Sequence, residues 1–385
     1  RILFTKTCEN DIECFNRTSH CNSLKNGHTN MTLAPTIDDL IHRARMDLRA
    51  GLPVVIGDGP DQIVCAALET LSAGRLEALK TITGAAIAVS DWRAKALNIP
   101  VYDAGMTRFS VPVPFDHRAA QALADPSQDL ARPLKGPFAY IRDGAAPMVA
   151  QAIRLTKAAH LLPSIIYAPA QGIDAGGLTE ITDLPPETLV LQDIVAARVP
   201  ITASAHTRLH VFRERLSGDE HYAVEIGHVT PQRAMLTRVH SACFTGDVLG
   251  SLKCDCGPQL NAALAHMGAA EGGLLLYLNQ EGRGIGLPNK MRAYALQDQG
   301  FDTVEANHRL GFEDDERDFR LGAQMLDHFK INQIKLLTNN PRKIATMQDQ
   351  GITVTERVPL QVGKTAENAQ YLSVKAQKSG HLFDE

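Results

Sequence analysis

From Thr36 onward, apolar residues recur at spacings that fit helices and strands in turn. Thr36 reads as an N-cap, Ile37, Leu40, Ile41, Ala44 and Leu48 share one helical face, and Gly51 ends the helix. Leu52–Ile56 then predicts a buried strand. Leu76–Thr81, Ala85–Val89, Val149–Leu161 and Ser164–Tyr167 continue the alternation to about Arg198. Further on, Met235–Val239 reads as a strand, and Leu260, Ala263, Leu264 and Met267 fall at i, i+3, i+4, i+7, an amphipathic helix. Gly273–Leu278 predicts a strand, followed by a glycine-rich turn and a helix carrying Leu287, Met291 and Tyr294. Gln333–Leu337 predicts another strand, and Pro341 suits the first position of the helix after it. Phe319, Leu321, Met325 and Leu326 predict a helix whose acidic first turn is Asp314–Asp318. The fold class expected is α/β with mixed (α+β) sheets, in two domains, each a sheet packed with helices. Residues 31–200 form the first and 201–385 the second. Residues 1–30, with Cys8, Cys14, Cys21 and little periodicity, read as a disordered or non-native extension. No Gly/Ser-rich or Pro-rich linker separates Arg198 from Thr207, so the domains are expected to pack tightly.

Composition narrows the class. Of 385 residues, 44% are hydrophobic and 21% charged, the profile of a soluble globular protein. A net charge of -4 implies no general affinity for nucleic acid, so an anionic substrate must meet local basic groups. No apolar run reaches membrane-spanning length, and no signal-peptide core is visible. Seven cysteines in such a chain are not a disulfide framework, and a Cys-x-Cys pair suits a reducing cytoplasm.

Candidate chemistry gathers in Arg238–Leu260, which holds Cys243, Cys254 and Cys256. Cys254 and Cys256 cannot share a helical face, so they are expected on a tight loop before the helix, with Cys243 just beyond the strand. Three such thiols are either a zinc site with an open fourth position, the catalytic arrangement, or three reduced, partly buried cysteines. In Gln280–Gly286, glycines let backbone N–H groups approach an anion at a helix N-terminus, or simply connect two elements; Arg283 favours the first. Lys343 lies in a first helical turn, where the macrodipole disfavours a cation, which points to a ligand. Arg317 is the odd member of an acidic run, and Tyr294 alone reads as a core aromatic.

From about Thr207 to Glu385 the chain resembles GTP cyclohydrolase II. The resemblance is carried by R-V-H-S-x-C, L-K-C-D-C-G, Q-E-G-R-G-I-G-L, K-M-R-A-Y-A-L-Q-D-Q-G, D-T-V-E-A-N-H, D-D-E-R-D-F, L-L-T-N-N-P-R-K and E-R-V-P-L. It implies one zinc ion per chain on Cys243, Cys254 and Cys256, activating water for attack on the guanine imidazole ring. It also implies GTP contacts at Arg238, Val239, His240, Ser241, Ala242, Gln259, Glu281, Gly282, Arg283, Thr303, Thr338 and Lys343, with magnesium on the triphosphate. Asp315 would accept a proton and Arg317 attack the α-phosphorus, releasing pyrophosphate. Arginine is normally fully protonated, so an electrostatic clamp by Arg317 is the alternative. Tyr294 would serve ring opening. The products would be a diaminopyrimidinone ribosylamine phosphate, formate and pyrophosphate, the first step of riboflavin biosynthesis, catalysed by a cytoplasmic homodimer with no nucleic-acid or membrane partner. Where the family usually has glutamate after R-V-H-S, this chain has Ala242. That leaves room for a cyclohydrolase acting on another nucleotide, as in pyrimidine breakdown. A non-catalytic nucleotide-binding regulator is the third reading, opposed by the intact Cys243, Cys254, Cys256, Tyr294, Asp315 and Arg317.

The first half resembles a degenerate 3,4-dihydroxy-2-butanone-4-phosphate synthase, by the opening I-D-D-L-I-x-x-A-x-x-D-L-R-A-G-L-P-V-V-I. That family's acidic run is replaced by Asp58-Gly59-Pro60-Asp61-Gln62-Ile63-Val64-Cys65, and its G-H-T-E motif by Pro147-Met148-Val149-Ala150. Hard cations need several oxygen ligands, so the fold is expected to persist without the synthase chemistry.

Overall fold

The computed structural model describes residues 33–185 and 189–368. The expected extension over residues 1–30, with its three cysteines, lies outside the described residues. The elements up to residue 181 are α1 (Ile37–Arg49), β1 (Val54–Ile56), β2 (Ile63–Ala67), α2 (Ala73–Lys80), β3 (Ala86–Ser90), α3 (Asp91–Ala96), β4 (Met106–Ser110), α4 (His117–Ala124), α5 (Ala146–Ala158), β5 (Ser164–Pro169) and β6 (Thr179–Ile181). They build a six-stranded mixed sheet in the order β4-β3-β5-β2-β1-β6. Thr36 caps α1 through a capping box with Asp39, as its spacing predicts.

Strands β2 and β3 bury every residue, so both faces of this sheet are covered. Period-two alternation divides them. Cys65, Ala67, Ala86 and Ala88 face the core under α1 and α5. Val64, Ala66, Ile87 and Val89 face a second core that holds Leu76 of α2 and Leu123 of α4.

The remaining elements are β7 (Leu191–Arg198), β8 (Thr207–Glu214), β9 (Glu220–Gly227), β10 (Met235–Ser241), α6 (Phe244–Asp247), α7 (Cys256–Ala269), β11 (Gly272–Leu278), α8 (Leu287–Asp298), α9 (Thr303–Leu310), α10 (Arg320–His328), β12 (Gln333–Leu337), α11 (Pro341–Asp349) and β13 (Thr353–Val358). They form a seven-stranded sheet in the order β13-β12-β10-β11-β9-β8-β7. β13, β12, β10 and β11 run parallel, and β9, β8 and β7 continue antiparallel. The α/β class with two helix-packed sheets is as expected.

One boundary differs from the sequence reading. The division expected at residue 200 falls before Leu191, because β7 pairs with β8 along its length and belongs to the second sheet. Its exposure hid this: most of β7, Ile194 and Val195 included, is exposed on this edge strand, so its apolar residues trace no buried face. The two sheets also lie within one compact unit. Ala293 and Leu296 of α8, Ala306 and Leu310 of α9, and Phe312 bury themselves in the core of the first sheet. The expected tight packing is therefore a shared core.

Candidate active site

The parallel strands β10, β11 and β12 end on one edge of the sheet, and the segments that follow them line a single open cleft. The crevice beyond the carboxyl ends of parallel strands is where such sheets place ligands. Ser241 ends β10 and Ala242 and Cys243 follow it, Glu281–Arg283 follow β11, and Thr338–Lys343 follow β12.

The three thiols converge. Their sulfurs all lie within 4.8 Å of one another, with Cys243 Sγ and Cys254 Sγ 3.7 Å apart. Cys254 lies in a loop, but Cys256 is the first residue of α7 and not part of that loop. The backbone under the cluster is tightly built. A Cβ on Gly246 would sit 2.8 Å from Cys254 Sγ, and one on Gly257 2.2 Å from the Gly246 carbonyl oxygen. Lys290 Nζ reaches Cys243 Sγ at 3.1 Å, Thr245 Oγ1 at 2.9 Å and Glu281 Oε1 at 2.7 Å. Hydrogen bonds from Cys254 and Cys256, aided by the Lys290 charge, hold the Cys243 thiol far below its ordinary range. Burial would lower the Lys290 ammonium, but Glu281 and Cys243 outweigh it and raise the group. The cluster is therefore a thiolate stabilised by a buried cation.

Asp247 organises the strand end beside it. Its carboxylate accepts from the Cys243 backbone N–H at 3.0 Å and from the Tyr277 hydroxyl at 2.9 Å, and lies 3.1 Å from His240 Nε2. Burial pushes the His240 imidazole down to about 4, so the ring is neutral near pH 7. Arg238 is buried. It donates to the Leu337 carbonyl at 3.2 Å and to Gln259 Oε1 at 2.6 Å, and burial lowers it to about 10.

The turn after β11 takes left-handed backbone at Gly282, Arg283, Gly284 and Gly286. Arg283, at φ 62°, is the strained non-glycine member, and its guanidinium donates to the Asp314 carbonyl at 3.1 Å. Gly284 is required by closeness: a Cβ there would meet the Glu316 backbone at 2.8 Å. The acidic run that this turn contacts is not a first helical turn, because α10 begins only at Arg320 and has no acid in its first turn. The run is irregular backbone that closes on itself. Arg317 donates from Nε to Asp315 Oδ1 at 2.7 Å and from Nη2 to Asp315 Oδ2 at 2.8 Å, and Nη1 reaches Ser241 Oγ at 3.2 Å. Burial pulls the Asp315 carboxyl up, but the Arg317 charge and hydrogen bonds outweigh it and hold it at about 2.

Tyr294 is half-buried on the cleft wall, not a core aromatic. Lys253 and Lys290 Nζ lie 5.1 and 5.8 Å from its ring centre. Lys343 is buried in the first turn of α11 and donates to the Val239 carbonyl at 2.7 Å, so backbone offsets the unfavourable dipole position.

A family model described as GTP cyclohydrolase II matches residues 192–359. A GTP cyclohydrolase-2 from Azospirillum brasilense is 39% identical over 362 residues, covering 89% of this chain and 94% of the relative. The chain belongs to the GTP cyclohydrolase II family. A Klebsiella pneumoniae GTP cyclohydrolase-2 is 56% identical over 45% of this chain and 86% of its own length. A Neisseria meningitidis GTP cyclohydrolase-2 is 51% identical over 51% of this chain and 98% of its own length. A two-domain 3,4-dihydroxy-2-butanone 4-phosphate synthase from A. baumannii matches at a TM-score of 0.29, with 18% identity over 79% of this chain and 94% of its own.

Of the residues that the cyclohydrolase resemblance singles out, Arg238, His240, Ser241, Ala242, Gln259, Glu281, Gly282, Arg283, Tyr294, Thr303, Arg317, Thr338, Lys343 and the three cysteines all line the cleft. Val239 and Asp315 do not. Val239 meets the cleft through the carbonyl that Lys343 grips, and Asp315 stands behind Arg317. Sequence reasoning missed Lys290, Asp247 and Tyr277. Lys290 was detectable, since K-M-R-A-Y puts it four residues before Tyr294, on the same helical face. Asp247 and Tyr277 gave no local signal, because they meet only when β10 and β11 pair. In the first lobe, Met148 Sδ lies 2.7 Å from where a Gly57 Cβ would stand, so Met148 packs on the residue just before Asp58. Among the described residues no group of three His, Cys, Asp or Glu ligands gathers there.

Proposed function

We propose that this protein hydrolyses GTP to a diaminopyrimidinone ribosylamine phosphate, formate and pyrophosphate, with one zinc ion per chain, at the entry to riboflavin biosynthesis. The observation that carries this reading is one cleft lined by a thiolate cluster, Tyr294 and the Asp315-anchored Arg317. The cysteines fit zinc. Tetrahedral ligands at about 2.3 Å stand about 3.8 Å apart, against 3.7 Å between Cys243 and Cys254 sulfurs. Three protein ligands leave a position open, and bound zinc supplies Lewis-acid activation of water.

The chain's own groups divide the work. Lys290 holds the Cys243 sulfur as thiolate, and Asp247 fixes the Cys243 backbone and the His240 ring. Tyr294 offers a phenol for proton transfer during ring opening. Arg283, Arg317 and Lys343 supply positive charge for a triphosphate accompanied by magnesium. An Asp315 carboxyl at about 2 is a poor acceptor for an arginine proton, by about ten powers of ten. That supports Arg317 as a fixed cationic clamp on the phosphate and not as a nucleophile. The reduced thiols suit a cytoplasmic enzyme, and a homodimer follows the family expectation. Among the described residues no helix is long and apolar enough to cross a membrane.

One observation favours a second reading. Ala242 lines the cleft with no polar side chain, so selection for guanine is weaker there than a carboxylate would make it. Incubating the full chain with magnesium and GTP, GDP or ATP, and measuring formate and pyrophosphate, separates the two. Formate and pyrophosphate from GTP alone are expected. Turnover of another nucleotide in preference to GTP would overturn the substrate assignment.

A further inference from the structure

We infer that the first lobe is a buttress for the cyclohydrolase centre, with Trp92 and Lys157 as positioning residues for the segment that carries Asp315 and Arg317. The inference rests on the reading above that Arg317 acts on the phosphates. It starts from the grip on residues 311–316. Ser90, at the end of β3, donates to the Gly311 carbonyl at 2.7 Å in a buried bond. Gly311 comes so close that a Cβ there would lie 2.6 Å from Ser90 Oγ and 2.7 Å from Pro163 Cγ. Phe312 is 1% exposed within the core of the first sheet. Trp92 Nε1 donates to Glu313 Oε2 at 2.7 Å, and its ring stacks on His308 with centres 3.5 Å apart and planes 5° apart. His308 Nε2 in turn lies 2.5 Å from Asp314 Oδ1. Lys157 on α5 donates to Glu316 Oε1 at 2.9 Å, and the Glu316 N–H donates to the Arg283 carbonyl at 3.0 Å.

Thus 311, 312, 313 and 316 each touch the first lobe directly, and 314 does so through the stacked His308. Asp315 and Arg317 are the members left facing the second lobe's own strand end. A segment without regular structure has few internal bonds to fix it. Besides its own Asp315–Arg317 pair and the bonds from Arg283 and Asn307, the fixing here comes from the first lobe, where among the described residues no group of three His, Cys, Asp or Glu ligands gathers. The N. meningitidis relative is matched over 98% of its length by 51% of this chain.

The test uses the full chain with Lys157→Met, Lys157→Arg, Trp92→Ala and Trp92→Phe, read by hydrogen exchange of the 311–318 peptide, zinc content and GTP kinetics. Expected for Lys157→Met and Trp92→Ala are faster exchange at 311–318, unchanged exchange at 243–256 and unchanged zinc. kcat is expected to fall about tenfold with KM for GTP held, since misplacement by about 1 Å can cost about a hundredfold. Lys157→Arg keeps the cation opposite Glu316 and should recover most of the loss. Trp92→Phe keeps the stack but loses the Glu313 bond and should fall between. Unchanged exchange at 311–318 in both variants overturns the inference, as does faster exchange with unchanged kcat. Lys157 is 21% exposed, so its variants carry the test if Trp92→Ala fails to fold. If the wild type does not act on GTP, the functional reading fails while the exchange comparison still decides this one.

Discussion

Replacing Asp315 by asparagine measures the weight of the pair that fixes Arg317. The two side chains are 7% and 14% exposed and share two hydrogen bonds. The carboxyl lies at about 2 against an ordinary 3.8, which corresponds to about 2.5 kcal/mol of native-state stabilisation. Removing one partner of a fully buried pair costs about 3–5 kcal/mol. Arg317 keeps Ser241 Oγ and is 14% exposed, so a loss of about 2–3 kcal/mol is expected. The folded carboxyl is depressed, so its stabilisation is complete above about pH 4 and disappears as pH falls through about 2. The gap between wild type and Asp315→Asn should be full at pH 7 and narrow from about pH 4 downward. Urea unfolding at pH 7, 4 and 3 reads it, followed by the emission of the single tryptophan, Trp92, whose indole bonds Glu313 two residues away. A gap below about 0.5 kcal/mol at pH 7, the level of an ordinary surface substitution, would refute the reasoning. So would a gap that stays constant down to pH 3.

Three further perturbations separate the parts of the site. Tyr294→Phe should still release pyrophosphate from GTP but little formate, whereas Arg317→Ala should release neither if the phosphate step comes first. Ring opening at normal rate by Arg317→Ala, with the triphosphate retained, would end that order of steps. Asp247→Asn removes the charge and one of the two acceptor oxygens that orient Cys243, His240 and Tyr277, so zinc affinity should fall about 10- to 100-fold in a chelator competition. Unchanged affinity would show that Asp247 does not support the ligand strand.

The sequence spoke clearly wherever the chemistry is local. The strand–turn–helix order around Gly273–Asp298 and Gln333–Asp349 was legible because burial imposes its period on each element. The thiol cluster was legible because a Cys-x-Cys pair stands at the start of an amphipathic helix, although Cys256 is that helix's first residue and not part of the loop before it. β7 was misplaced because an exposed edge strand carries no apolar alternation. The acidic run was misread because acids before a helix look like its first turn, while the contacts that draw it off the helix, Arg317 to Ser241 and Arg283 to the Asp314 carbonyl, are tertiary. Asp247 and Tyr277, thirty residues apart, are joined only by β10–β11 pairing. The same holds for the grip of the first lobe on residues 311–316, which rests on contacts more than 150 residues apart in sequence.

The central claim is a zinc-dependent ring opening of GTP at Cys243, Cys254 and Cys256. It is tested most directly by measuring metal content and formate release together, on wild type and Cys254→Ser purified side by side. The account predicts one zinc per wild-type chain and formate from GTP with magnesium. For Cys254→Ser it predicts loss of both, with the same elution volume and far-ultraviolet spectrum. Full zinc occupancy in Cys254→Ser, or undiminished formate release without it, would contradict the account.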